Sequence, residues 1–405
     1  MTNLFSDLKV IDAASFLAGP CAATIMSDFG ANVIKIEPLT GDRHRTIAGG
    51  HESDFSWQLT GRNKRSLAMD ITTTAGYSVL MRMLKEADVF LVNFSAANLE
   101  RYNLTYDVLK AVNPRLVFAQ ITAYGLKGPD AERRAFDLTG FFARTGILDI
   151  MHGKDTPPAP PAGGVGDHAT AMTLFAGIMM ALYKRDRSGE GSMISTSLAA
   201  TGTWANGLNL QATMAGLDGP TRRNREGWSN PVSNVYTTSD DRYIMLGVQN
   251  VHRDWPKLAD LLERPEWLKD ERMTKPKALM KNRFYVKEQL EQAFRSLPSD
   301  VVCERLASSG IVFSLVSHTT EVIDDPQLIA NGVIVPTESD VPGNERTFAT
   351  PINMSGETQI TPQRAPEIGQ HSAEILREFG LTEDEIAALS DESVIRLKQL
   401  VAAKS

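Results

Sequence analysis

Asp167 is the residue whose surroundings most suggest chemistry. Gly166 precedes it, and a long apolar run, Ala169 to Tyr183, follows. An aspartate ahead of an apolar helix is a preferred N-cap, its carboxylate accepting a backbone N–H. The same carboxylate at the mouth of a helix, kept ionised by the positive end, can attack an activated acyl group and form a covalent intermediate. The two readings conflict only if the side chain turns fully inward to cap.

Other reactive patterns are weaker. Gly19 follows one apolar run and Glu37 ends the next, as in a dinucleotide site whose acid binds the ribose. The loop reads LAGPCAA, however, so the GxGxxG fingerprint is missing, and Glu37 reads equally as a solvated strand end. There is no GxSxG elbow, no GxxxxGK[ST] loop and no HExxH. The seven histidines (44, 51, 152, 168, 252, 318, 371) lack ligand spacing, so no metal site is expected. His168 adjoins Asp167, but neighbours one apart on a helix point different ways. Basic residues cluster at Arg43-His44-Arg45, Arg62-Asn63-Lys64-Arg65, Arg133-Arg134 and Arg222-Arg223-Asn224-Arg225. Each reads as a solvated surface feature or, in a loop beyond a strand, as a phosphate grip.

These residues need elements to place them. With 405 residues, 42% of them hydrophobic, the chain exceeds a single core, and two domains are expected. A charged fraction of 22% and a net charge of -7 argue against disorder and against a broad nucleic-acid footprint. Cys21 and Cys303 can build neither a disulfide framework nor a CxxC pair. No basic stretch followed by an apolar run opens the chain, so a reduced, cytoplasmic setting is expected. The Ala169–Tyr183 run reads as too short to span a bilayer.

LKVIDAASF, NVIKIEP, VFLVNF (89–94) and RLVFAQITAYG read as strands, with helices over PCAATIMSDFGA, residues 73–87 and residues 106–113 between them. Such alternation predicts a parallel sheet covered on both faces. Ligands would bind beyond the carboxyl ends of its strands, in the loops after Phe16, Glu37, Phe94 and Tyr124. The Pro- and Gly-rich stretch TPPAPPAGGVGD (156–167) leads into a helix over Ala169–Lys184. GPTRRNREGWSNP has linker composition. It divides the chain into a large domain over 1–220, a smaller α+β domain over 221–330 and a return to the large domain over 331–405. The return reads as strand and loop (FATPINMSG), a helix (SAEILREFG) and a final helix.

Seven segments occur in one order between about residues 8 and 390. They are LKVIDAASFLAGPCAATIMSDFGANVIKIEPLTGD, GRNKRSLAMD, ADVFLVNF, NPRLVFAQITAYGLKGP, AFDLTGFFARTG, GVGDHATAMTLFAGIMMALYKRDRSGEG and RAPEIGQHSAEILREFG. Together they strongly resemble the class III CoA-transferases, the family of formyl-CoA transferase and carnitine CoA-transferase; the likeness is weakest between 220 and 345. The resemblance implies two interlocked, ring-like subunits forming a homodimer. Each would have a Rossmann-like large domain without the dinucleotide fingerprint and an inserted smaller domain. It also implies coenzyme A, as acyl-CoA, and a small carboxylic acid as substrates, with no permanently bound cofactor and no nucleic-acid or membrane partner.

Asp167 matches the family's aspartate, which implies attack on an acyl-CoA to give an aspartyl-acyl anhydride, then an aspartyl-CoA thioester that a second carboxylate opens. An aspartate of ordinary pKa, about 3.9, needs no general base for this, and positioning would supply much of the rate. Gly163, Gly164 and Gly166 would let the chain approach the thioester. For coenzyme A contacts, Asn93, Phe94 and Arg101 match the family's asparagine-phenylalanine pair and following arginine, and Leu17 and Ala18 occupy the first loop. Met69, Asp70, Ile71 and Thr72 occupy a strand end, and Arg134, Ala135, Phe136 and Asp137 the segment along the pantetheine and thioester.

Departures from formyl-CoA transferase weigh against formate and oxalate as substrates. Ser15 stands where that enzyme has a histidine and Pro38 where it has an arginine. Its glycine-rich loop is not recognisable, with only Arg225-Glu226-Gly227-Trp228 nearby. Arg222, Arg223 and Arg225 read as partners of a second substrate carboxylate or as plain surface. Two other functions fit parts of the pattern: an α-methylacyl-CoA racemase, and a non-catalytic protein that binds coenzyme A or a nucleotide. In the racemase branch a histidine stands immediately before the acid of the AFDL-type segment. Phe136 takes its place here and cannot carry a proton, while Asp137 remains open as an acid.

Overall fold

Short runs of Val, Ile, Leu and Phe in the first third of the chain each form a strand, with helices between successive strands. The computed structural model describes residues 3–47, 49, 53–153, 156–217 and 230–398. In chain order these begin β1 (Lys9–Asp12), α1 (Ala18–Asp28), β2 (Asn32–Glu37), α2 (Phe55–Gly61), β3 (Arg65–Met69) and α3 (Thr74–Leu84). Next come β4 (Val89–Val92), α4 (Ala96–Arg101), α5 (Tyr106–Val112) and β5 (Val117–Thr122). After a π-helical segment, Leu138–Ala143, stand α6 (Ile147–Ile150), α7 (Val165–Ser188), β6 (Met193–Ser197), α8 (Leu198–Ala205) and α9 (Gly207–Met214).

The chain forms two compact units. The smaller, Met151–Pro158 with Pro220–Asp325, holds an antiparallel sheet of β7 (Ser233–Thr237), β8 (Tyr243–Gly247) and β9 (Phe313–Leu315). Its own core includes Tyr236, Trp255 and Phe294. The larger unit, Met1–Ile150, Ala159–Gly219 and Pro326–Ser405, also holds β10 (Ile334–Pro336), β11 (Arg346–Phe348) and β12 (Ile395–Arg396).

The large sheet runs β12-β3-β2-β1-β4-β5-β6 and is parallel throughout except for β12. This is the mixed α/β architecture that the strand–helix alternation predicts. Alternate strand residues face opposite layers: Ile11, Ile34, Phe90 and Phe118 pack with α3 and α5, and Val10, Val33, Leu91 and Ala119 with α1 and α7. Each of these Val, Ile, Leu and Phe side chains, fully buried, contributes roughly 1.5–3 kcal/mol. The chain steps outward from β1 to β3 and then returns to β4 on the other side of β1. Open α/β sheets bind ligands beyond the strand ends at such a reversal, which here is the region of the loops after β1 and β4.

Several elements differ from the sequence-based expectation. β1 stops at Asp12 because the Ala14 N–H turns to the Asp12 carboxylate at 3.2 Å. β5 stops at Thr122, whose hydroxyl accepts the Gly125 N–H at 3.0 Å. α7 is longer than expected, 24 residues from Val165 to Ser188, and by length and composition alone could cross a membrane. Its buried residues (Thr170, Leu174, Ile178, Ala181, Leu182) recur every three or four positions, so one stripe packs against the sheet. The final helix, Glu383–Asp391, is followed by the unexpected edge strand β12, which pairs Ile395 with Met69.

A cluster of buried charge underlies the carboxyl ends of β1 to β3. Lys64 Nζ lies 2.9 Å from Asp12, and Lys35 Nζ lies 3.0 Å from Asp42 and 3.9 Å from Asp12. Asp12 and Asp42 outweigh burial at Lys35 and raise its pKa, whereas burial wins at Lys64 and lowers it. Glu37 accepts from both Arg45 Nε and Nη2 at 2.8 Å, from the Asp42 N–H at 2.8 Å and from Ser66 Oγ at 2.6 Å. It is 1% exposed, so it is neither a solvated strand end nor free for a ribose. Most of the first two basic clusters is taken up by internal partners, although Arg43 is exposed. Arg45 also stacks on Trp57, Arg62 pairs with Asp28, and Arg65 reaches Glu374 and Glu378.

Candidate functional site

Three clamps shape the loop after β1. Lys35 Nζ donates to the Ala14 carbonyl, and the Phe16 N–H donates to Asp42 Oδ1 at 3.2 Å. The Asn93 amide, from the loop after β4, brackets Ser15 by accepting its N–H at 3.0 Å and donating to its carbonyl at 2.9 Å. Held this way, Phe16 adopts φ 67°, a left-handed conformation costing about 1–3 kcal/mol for a residue with a side chain. Leu17 and Ala18 follow, half-buried, as the N-cap and first residue of α1.

Asp167 sits in the first turn of α7 and does not cap it. The N-cap is Gly164, at φ 92°, where no side chain is available to cap and L residues are strained. Asp137, 3% exposed, caps remotely: Oδ2 accepts the N–H groups of Gly164 at 2.7 Å and Gly166 at 3.2 Å, and Oδ1 that of Leu138 at 2.8 Å. Among the described residues nothing hydrogen-bonds to the Asp167 side chain, which is half-buried. A Cβ on Gly166 would come within 2.6 Å of Phe141 Cγ, so this glycine serves close packing rather than substrate approach. A Cβ on Gly164 would lie 3.1 Å from Leu17 Cδ2, which places the first loop beside the same turn.

The electrostatics follow from this arrangement. Burial, and then the carboxylate of Asp137, push Asp167 up to about 6, with His168 opposing. That corrects the expectation of an ordinary aspartate. His168 turns toward α1: its Nδ1 lies 2.8 Å from the Gly164 carbonyl and its Nε2 3.8 Å from Cys21 Sγ. The Cys21 contact, against burial and helped by the Gly164 carbonyl and Asp167, holds the imidazolium up to about 9. At pH 7 a carboxyl group with pKa about 6 is still roughly nine-tenths ionised. Asp167 is therefore a poorly solvated, uncommitted carboxylate, suited to attack an electrophile.

Of the expected coenzyme A contacts, some remain accessible. Asn93, Thr72, Arg101, Arg134 and Phe136 are exposed, and Asp70, Ile71, Phe94 and Ala135 half-buried. Arg101 ends α4 with its guanidinium 5.6 Å from the Tyr102 ring centre, and Phe94 meets the same ring edge-on at 6.0 Å. Asp70 accepts the Thr72 N–H and hydroxyl at 2.9 and 2.6 Å. Two side chains are withdrawn. Met69 is 2% exposed and packs in the core, and the Asp137 carboxylate is taken up in capping. Arg222, Arg223, Arg225 and the segment to Trp228 lie outside the described residues. Among the described residues no group of three His, Cys, Asp or Glu could hold a metal ion.

The roles of Asp137, Phe16 and Cys21 escaped the sequence reading. Asp137 meets its partners 27 and 29 residues away, and no local spacing marks such a pairing.

Comparison with known proteins accords with this geometry. Residues 5–372 match the model of CoA-transferase family III. The chain is 30% identical over 401 residues to the (R)-2-hydroxy-4-methylpentanoate CoA-transferase of Clostridioides difficile, covering 97% of this chain and all of that one. It is 32% identical over 409 residues to the cinnamoyl-CoA:phenyllactate CoA-transferase of Clostridium sporogenes, covering 98% of each. A crystal structure of a CAIB/BAIF family protein from Brucella suis superposes with a TM-score of 0.84 at 29% identity, covering 94% of this chain and all of that one.

Proposed function

This chain belongs to CoA-transferase family III, and we propose that it moves coenzyme A from an acyl-CoA to a free carboxylic acid with Asp167 as covalent nucleophile. The observation that carries the reading is the division of labour at the start of α7: Asp137 caps, and Asp167 is left uncommitted. An Asp167 carboxylate oxygen attacks the thioester carbonyl carbon, the C–S bond breaks, and coenzyme A leaves as thiolate, giving an aspartyl-acyl anhydride. The thiolate attacks the Asp167 carbonyl and releases the donor acid as carboxylate. The acceptor carboxylate then attacks the aspartyl-CoA thioester, the thiolate leaves again, and it takes the new acyl group from the second anhydride. Asp167 returns as carboxylate, and no net proton moves.

Anhydrides hydrolyse, so the reaction requires water to be kept out, and coenzyme A's long body provides binding energy for positioning. Arg101, exposed at the end of α4 beyond β4, and Arg134, exposed in the connection after β5, are the side chains we assign to its phosphates. A racemase needs a second proton carrier, and both Asp137 oxygens already accept backbone N–H groups, which favours transfer. The names of the two relatives suggest monocarboxylic acids with a branched or aryl end as the substrate class. An interlocked dimer, with the smaller unit as the inserted domain, fits the apolar side chains left exposed on α7 to α9: Met180, Tyr183, Trp204 and Leu208 are 65–88% exposed. The free thiols of Cys21 and Cys303 suit a reduced cytoplasm.

The test is Asp167→Ala, assayed with a panel of acyl-CoAs and free acids by mass spectrometry of the product thioesters. Transfer should fall by about 10⁴-fold or more, as when a covalent nucleophile is removed. Wild-type protein treated with acyl-CoA and hydroxylamine should carry a hydroxamate at Asp167. Turnover retained by the alanine variant would refute the assignment.

A further inference from the structure

We infer that Phe16 and Phe136 form an aromatic wall beside Asp167 that selects acyl groups with a branched or aryl apolar end. This inference rests on the assignment of Asp167 as nucleophile and names the side chains that set its substrate class.

The two rings come from different loops. Phe16 follows β1, and Phe136 lies in the connection after β5. They meet edge to face with centroids 5.6 Å apart and planes at 78°. Each is one residue from a group that touches the turn presenting Asp167. Phe136 directly precedes Asp137, which holds the Gly164 and Gly166 N–H groups. Phe16 directly precedes Leu17, which borders Gly164.

Phe16 is half-buried, and burial does not place Phe136. Phe136 is 63% exposed, although its loop neighbour Asp137 is almost fully buried. Phe16 keeps its position against backbone strain, because Lys35, Asp42 and Asn93 clamp the residues around it. Strain of this kind persists only where surrounding contacts over-determine it, and it gathers at binding sites. Relaxing Phe16 would take its ring away from Phe136, so the clamps maintain the wall.

The chemistry of such a wall is selective. An aryl end can stack on or meet a ring edge-on, a gain beyond area burial, and a branched alkyl end gains from covering the rings. A second carboxylate, as on a succinyl group, would lose water against the same surface. An acetyl group is too short to cover it.

The experiment compares kcat/KM for 3-phenylpropanoyl-CoA, 4-methylpentanoyl-CoA, acetyl-CoA and succinyl-CoA, each with the same free acid as acceptor. Wild type, Phe136→Ala and Phe16→Asn are assayed, asparagine being chosen because it tolerates positive φ. Wild type should prefer the two apolar donors. In each variant that preference over acetyl-CoA should fall by about tenfold, within the range hydrophobic pockets supply. An equal loss with all four donors would overturn the inference, since it would mean a contact with the shared coenzyme A body. So would an unchanged preference accompanied by dissociation in analytical ultracentrifugation, which would mean that Phe136 is an intersubunit contact. A wild type that transfers coenzyme A without preferring apolar donors defeats the wall alone. A wild type that transfers none of the four defeats the proposed function as well.

Discussion

Two sets of carboxylates near the same end of the large sheet are treated in opposite ways. Asp12, Asp42 and Glu37 are 0–2% exposed, and each is met by a cation: Lys64, Lys35 and Arg45. Asp167 is less deeply buried, yet among the described residues it has no hydrogen bond, and burial, then a second carboxylate, Asp137, raise its pKa against the opposing charge of His168. Removing a carboxylate from water costs several kcal/mol unless partners compensate. Compensation at the first set makes it scaffold, holding Ala14 and Phe16 in place. At Asp167 the His168 charge compensates only in part, and the raised pKa that remains is of the kind that clusters at functional sites. The contrast makes quantitative demands on each set.

The largest stability effect should come from breaking a compensated pair. Lys64→Met leaves Asp12 with the more distant Lys35 as its cation and should destabilise the protein by about 3–5 kcal/mol in urea melts. Replacing both partners, Lys64→Met with Asp12→Leu, should recover a good part of that loss, because no charge is then left buried alone. A single-variant loss below about 1 kcal/mol, typical of surface pairs, would erase the distinction between the two regions.

This contrast also separates what local sequence can reveal from what it cannot. The parallel sheet was legible because runs such as VIKIE and VFLV declare buried strands within a few residues. Asp167 stood out through its Gly-rich approach and the apolar helix behind it. The partners were not legible. Lys35 sits inside an apolar run, and only the tertiary structure shows that Asp42 and Asp12 neutralise it. Asp167 itself resembled a cap, because the residue that does the capping arrives from a different loop. The edge strand β12 has two residues, too few to register as a pattern.

The next effect tests whether Asp137 serves the Asp167 turn or merely neighbours it. Asp137→Ala leaves the Gly164, Gly166 and Leu138 N–H groups without their acceptor, and the protein should lose about 2–3 kcal/mol. Asp137→Asn keeps the shape and removes the charge. Because that charge raises Asp167, the apparent pKa of its acylation step should drop below about 6, alongside a fall in kcat. A lower kcat with an unmoved pH profile would reduce Asp137 to a structural cap.

The smallest effect is a gain. The folded protein holds a proton on Asp167 up to about pH 6, whereas an unfolded aspartate releases it near 3.8. Folding therefore takes up a proton between those values, and the Asp167 contribution to stability falls as pH rises through them. Above about pH 6 the penalty is complete and constant. Asp167→Asn removes it, so the variant should be more stable than wild type at pH 8 by about 1–2 kcal/mol, after discounting for the solvent that reaches a half-buried group. The gain should shrink below pH 6 and vanish below 3.8, where wild type is also neutral. His168 leaves a separate signature. Its pKa is raised to about 9, so its stabilising contribution is complete below 6.5 and lost as pH rises through 9; it is smaller in the variant, which lacks the Asp167 charge that helps hold the imidazolium. Wild-type acylation should run opposite to stability, rising with pH as Asp167 ionises around 6. Denaturant melts of both proteins from pH 3.5 to 8, beside single-turnover acylation of the wild type, give both curves. A variant no more stable than wild type at pH 8 would mean that Asp167 finds partners after all, and its contrast with Asp12 and Asp42 would vanish.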